Sequence, residues 1–160
     1  MATNPANNPG AVVIDANVLI ALCAKEQDKA ATADAALKNY TSQGWLFYAP
    51  GVIISETLYV LCGKLQSGAL TEAEYNIAIR SLIAYMGVIL PSPNGDASLI
   101  VRAEEVRKGY GFSRSTDGLY IALAEVLTRI GVAELLTFDV GLPNQSARNA
   151  PTVMVNLLPC

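Results

Sequence analysis

The stretch Ala11-Val12-Val13-Ile14-Asp15-Ala16-Asn17-Val18-Leu19-Ile20 decides the fold. Residues 11–14 are a short apolar run that stops at an aspartate. Such a run reads as a strand buried on both faces, which is the habit of parallel sheets. The pattern then becomes helical over residues 18–24. A strand that runs straight into a helix, with an acid at the junction, is the opening unit of an α/β fold.

Working outward, the same alternation continues. Residues 29–40 are alanine-rich and helical, Gly44 breaks them, and 45–48 read as a strand. Pro50 and Gly51 precede apolar residues at helical spacing over 52–65. Ser67-Gly68 ends that helix. Thr71-Glu72-Ala73-Glu74 is a capping-box pattern that opens the next helix, to about residue 85. A short strand is expected at 88–90, closed by Pro91 and Pro93. A helix follows from Asp96 to near Gly109, then a glycine-containing loop over 109–114 and an amphipathic helix over 115–130. Residues 135–137 form a strand ending at Phe138-Asp139, 141–148 are irregular or briefly helical, and 153–155 are the last strand. The expectation is a three-layer α/β domain, a parallel sheet of about five strands flanked by helices. Residues 1–10 are Asn/Pro-rich and read as a flexible leader, and residues 11–160 as one domain without repeat or linker.

The composition suits this reading and narrows the chemistry. Of 160 residues, 52% are hydrophobic and 16% charged, which is far from disorder. No apolar run reaches the roughly 18 residues of a membrane span. The three cysteines form no CxxC pair, and a reducing, cytoplasmic setting is expected. Histidine is absent. This removes Ser-His-Asp and Cys-His nucleophiles, His-ligated zinc and imidazole bases. Chemistry must then come from carboxylates, hydroxyls, lysines or a bound metal.

Four acids stand out. In parallel sheets, ligand sites lie beyond the carboxyl ends of the strands. Asp15 and Asp139 each follow a strand and so arrive at one edge. The plain structural use of Asp15 is as a helix N-cap. Glu56 sits in an apolar stripe with Val52, Tyr59, Val60 and Gly63, where an unpaired carboxylate is costly. Asp117 opens a helix, on a face with Tyr120, Ile121 and Ala124; the helix dipole alone would welcome it there. Jointly the four can share one crevice. Oxygen-only ligands that repel one another select Mg²⁺ or Mn²⁺, the layout of metal-assisted phosphodiester hydrolysis.

These motifs resemble a PIN-domain nuclease. They are residues 12–20 at the start, Ser55-Glu56 in the helix after Pro50, the run Ser115-Thr116-Asp117-Gly118-Leu119-Tyr120-Ile121-Ala122-Leu123-Ala124, and Leu136-Thr137-Phe138-Asp139. Each is weak alone; the order and spacing are specific. The resemblance implies a Mg²⁺- or Mn²⁺-dependent endoribonuclease with Asp15, Glu56, Asp117 and Asp139 as its acidic quartet. Asn17, Thr116 and Thr137 would be supporting polar residues. In size the chain resembles the toxin half of VapBC toxin–antitoxin pairs, which implies an antitoxin partner and a homodimer.

The net charge of −3 is unusual for an RNA-binding protein. Removing the four acids from that sum leaves +1, so the acidity is largely the site itself. Arg107, Lys108 and Arg114 flank a loop with Tyr110 and Phe112 that could hold single-stranded RNA; the bland reading is a solvated helix end. Leu58, Leu61, Leu65, Ile77, Leu82 and Tyr85 exceed what one small sheet needs and suggest an interface. Two rival functions are a phosphoryl-transfer enzyme with Asp15 as nucleophile and a non-catalytic RNA- or partner-binding module.

Overall fold

The structure, a computed structural model, describes residues 9–113 and 115–160. Arg114 and residues 1–8 of the expected leader lie outside the described residues. Gly10, counted with that leader, belongs to the domain. It is buried, its carbonyl accepts a hydrogen bond from Leu46 N, and a Cβ there would collide with the Trp45 ring.

Among the described residues, four strands form one parallel sheet: β1 (Ala11–Ile14), β2 (Leu46–Tyr48), β3 (Ala133–Thr137) and β4 (Met154–Leu157), in the order β2-β1-β3-β4. Val12 stands opposite Phe47, Val13 opposite Leu135, and Leu135 opposite Val155. Val12, Val13 and Ile14 are buried, as their unbroken apolar run requires. The expected strand at 88–90 is reduced to a single parallel bridge. Leu90 N donates to Phe47 O and Ala49 N to Leu90 O, at 2.7 and 3.1 Å. Pro91, which has no N–H, cannot extend that ladder.

The helices are α1 (Ala16–Cys23), α2 (Gln27–Ser42), α3 (Val52–Gln66), α4 (Glu72–Met86), α5 (Ile100–Gly109), α6 (Asp117–Ile130) and α7 (Leu142–Asn149). A 3-10 turn, Asp96–Leu99, leads into α5. The capping box at Thr71 forms as its sequence requires: Glu74 N donates to Thr71 Oγ1, and Thr71 N to Glu74 Oε2. α6 packs on β1 and β3 with α5 outside it, and α1 packs against α2, α3 and α4. Of the apolar residues of α3 and α4, Leu61 and Leu82 are core, whereas Leu58 and Ile77 remain exposed.

From β1 the chain crosses to β2 on one side and returns, after α3 to α6, as β3 on the other. The switch point therefore lies between β1 and β3, where such sheets open a crevice at the carboxyl ends. Asp15 and Asp139 leave the sheet on either side of it. Among the described residues, no helix is long and apolar enough to cross a membrane.

Candidate active site

Asp15 occupies the N-cap position of α1 with extended backbone, yet its side chain makes no capping hydrogen bond. The plain structural explanation of this acid thus fails. Its Oδ2 instead accepts from Thr137 Oγ1 at 2.6 Å and from Asn17 Nδ2 at 2.9 Å. Thr137, fully buried at the end of β3, is the hub. Its hydroxyl also accepts from Asn17 Nδ2 (3.1 Å) and from Asp139 N (2.9 Å). Asn17 Oδ1 accepts from Phe138 N, at 3.1 Å. One hydroxyl and one amide therefore lock the two strand-end aspartates into a common frame.

The other two acids come from helices. Glu56 on α3 takes Thr116 Oγ1 at 2.6 Å and Tyr120 OH at 3.3 Å, both on Oε1. Asp117, the first residue of α6, accepts from Gln145 Nε2 on Oδ2 at 2.6 Å. Asp139 Oδ1 accepts from Gly141 N, at 2.7 Å. Two donors converge on one oxygen of Asp15 and on one of Glu56, and Asp117 and Asp139 each take a single donor on one oxygen. Glu56, Asp117 and Asp139 each keep a second oxygen with no hydrogen bond among the described residues.

All four acids line one cavity of about 330 Å³, together with Ala16, Asn17, Ile20, Tyr59 and Val60. No lysine or arginine is among these lining residues, and the ion pairs of the described residues all lie elsewhere. The electrostatics follow. Burial pushes the Asp15 carboxyl up to about 6; the Thr137 hydrogen bond opposes this, and the charges of Asp117 and Glu56 add to it. Glu56 is also raised, chiefly by burial, with Thr116 and Tyr120 opposing. Burial and the neighbouring carboxylates push the Tyr120 hydroxyl far upward, so it remains a donor.

A crevice of mutually repelling carboxylates fits a divalent cation. No group of three or more acids or cysteines among the described residues is gathered tightly enough to cage an ion by itself. Mg²⁺ characteristically keeps several waters and takes only one or two carboxylates. The oxygen-only donor set is of the kind that suits a hard divalent cation.

The expected supporting residues divide. Asn17 and Thr137 serve Asp15 and Asp139, and Thr116 serves Glu56. Arg107 does not reach the crevice. Its Nη2 pairs with Glu104 Oε2 at 2.7 Å, on the last turns of α5, and it lines a separate cavity of about 290 Å³ with Ser115, Thr116 and Gly118. Lys108 is not on the wall of the acidic cavity either. Gln145 is not conspicuous in the sequence, because α7 carries too few apolar positions to announce a helix. Tyr120, named in the sequence only as a neighbour of Asp117 on its helix face, is fully buried and donates to Glu56.

The family model for the PIN domain matches residues 12–146. The chain belongs to the PIN domain family. The match begins at β1 and ends inside α7, so it spans all four acids. No curated protein matches the chain in sequence. A chain from the crystal structure of VapBC2 from Rickettsia felis, bound to a DNA fragment from their promoter, resembles this PIN domain in fold. The TM-score is 0.62 at 12% identity, over 93% of this chain and 99% of that one.

Proposed function

We propose that this PIN domain is an endoribonuclease dependent on Mg²⁺ or Mn²⁺, and that it is the toxin of a toxin–antitoxin pair. The observation that carries the catalytic reading is the cavity where four carboxylates meet without a cationic partner among the described residues. Membership of the PIN domain family supports a nuclease reading of that cavity. The fold likeness to a chain of VapBC2 supports the toxin role.

Asp15 and Asp117 would hold the ion most directly, with Glu56 and Asp139 acting partly through water. A bound Mg²⁺ or Mn²⁺ would supply a water of lowered pKa and neutralise charge on the scissile phosphate. The chain's own contribution is orientation. Thr137 and Asn17 hold Asp15 so that it cannot swing away, and Thr116 and Tyr120 do the same for Glu56. Among the described residues the cavity wall carries no lysine or arginine, so a bound cation would be the positive charge available to a phosphate there. Exposed Leu58 and Ile77 on α3 and α4 are suited to a protein partner, an antitoxin or a second copy.

The test compares a single-stranded RNA oligonucleotide with its DNA counterpart, in Mn²⁺ and in EDTA. The proposal expects internal cleavage of the RNA only with the metal. Equal cleavage in EDTA, or cleavage of the DNA alone, would overturn it.

A further inference from the structure

We infer that Gln145 is a positioning residue for Asp117, held in place by a closed chain of contacts through α5, α6 and α7. This inference rests on the reading of the four acids as a divalent-metal site.

Gln145 is 6% exposed. A buried primary amide is costly unless it is hydrogen-bonded, and packing alone would be served as well by an apolar side chain of similar size. Its donor goes to Asp117 Oδ2, at 2.6 Å. Asp117 is the first residue of α6, and its Oδ1 has no hydrogen bond among the described residues. One oxygen is thus fixed by the amide, and the orientation of the other follows from it.

The amide is in turn fixed by its helix. At the start of α7, Gly141 N donates to Asp139 Oδ1 and Leu142 N to Asp139 O, at 2.7 and 3.2 Å. Leu142 and Ser146 are buried. At the other end, Arg102 Nη2 on α5 donates to Asn149 O at 2.6 Å, and Asn149 Nδ2 donates to Gln145 O at 3.3 Å. Arg102 is itself gripped by Glu125 through two bonds of 2.9 Å, Nε to Oε1 and Nη2 to Oε2. Glu125 lies on α6, the helix that Asp117 begins. The path Asp117–Gln145–Asn149–Arg102–Glu125 therefore closes on α6. α7 touches two members of the quartet at once, Asp139 by its first turn and Asp117 by Gln145. A polar partner that orients a metal-ligating group typically controls metal affinity by about 10–100-fold.

The experiment is titration calorimetry of Mn²⁺ into the whole protein, with thermal midpoints of the metal-free protein measured in parallel. Gln145→Met removes the donor and keeps length and volume; Gln145→Leu is the second donor-free variant, should the first fold poorly. The expected result is a Mn²⁺ affinity lowered about 10–100-fold in a protein that remains folded. The double variant with Asp117→Asn should bind no more weakly than Asp117→Asn alone, because the amide acts through that carboxylate. A purely structural glutamine would lower the midpoint and leave the affinity of the folded protein unchanged. Binding within about twofold of wild type by the donor-free variants overturns the role of Gln145 while leaving the metal site standing. Absence of Mn²⁺ binding by the wild-type protein overturns both.

Discussion

Asp15 shows how a single side chain carries both the cost and the use of this site. Its carboxyl is 6% exposed, and burial moves it from its usual 3.8 to about 6. An acid raised in this way favours the folded state only while it is protonated. Below pH 4 the folded and unfolded chains both hold the proton. As pH rises through 4 to 6, the unfolded chain releases it first, and stability falls. Above that window the metal-free fold bears a penalty on the order of 3 kcal/mol. Asp15→Asn removes the charge but keeps an oxygen for Thr137 and Asn17. We expect the metal-free variant to be more stable than wild type at pH 7 and to show a shallower decline between pH 4 and 6, the remainder belonging to Glu56, whose carboxyl burial also raises. Thermal midpoints across pH in EDTA measure this; an unchanged slope would show that Asp15 does not carry the cost. Asp15 was legible in the sequence because an acid closing an apolar strand is conspicuous. Gln145 was not, since an uncharged amide betrays its partner only once the chain is folded.

Among the elements, the crossing of α5 and α6 is the most exacting. A Cβ on Gly118 would stand 2.6 Å from Ala103 O, so the two helices meet there backbone to backbone. Gly118→Ala tests this contact. On helix propensity alone the change should stabilise by about 1 kcal/mol. Overpacking should instead destabilise by roughly 1–3 kcal/mol. We expect a net loss in urea denaturation and weakened Mn²⁺ binding, because the displaced end of α6 carries Thr116 and Asp117. A stabilised variant would show that α5 can give way. The same elements explain what could be read from the chain. β1, β3 and α6 are strongly patterned, and they position three of the four acids. α7 is short and mostly polar, and it depends on Asp139 at its start and on burial of Leu142 and Ser146. The segment at 88–90 has strand composition but is stopped by Pro91, and only tertiary pairing decides that one bridge forms.

For the whole molecule, the acidic balance is the key property. The net charge is −3, and the four acids of one cavity account for more than that. A cation bound only by the folded state should therefore stabilise the protein by mass action. At about a hundred times its dissociation constant, Mn²⁺ adds ~2.7 kcal/mol. For a domain of this size that corresponds to a rise on the order of 5–10 °C in thermal midpoint. Sodium chloride at matched ionic strength should give a much smaller rise; equal rises would mean general screening rather than a site. The most direct test of the central claim, that these four carboxylates form a metal-dependent ribonuclease centre, is the Mn²⁺-dependent RNA cleavage rate of wild type beside folded Asp15→Asn and Asp117→Asn. The account predicts cleavage by wild type and, for both variants, rates no higher than the EDTA control. Retention of wild-type cleavage by both would contradict it.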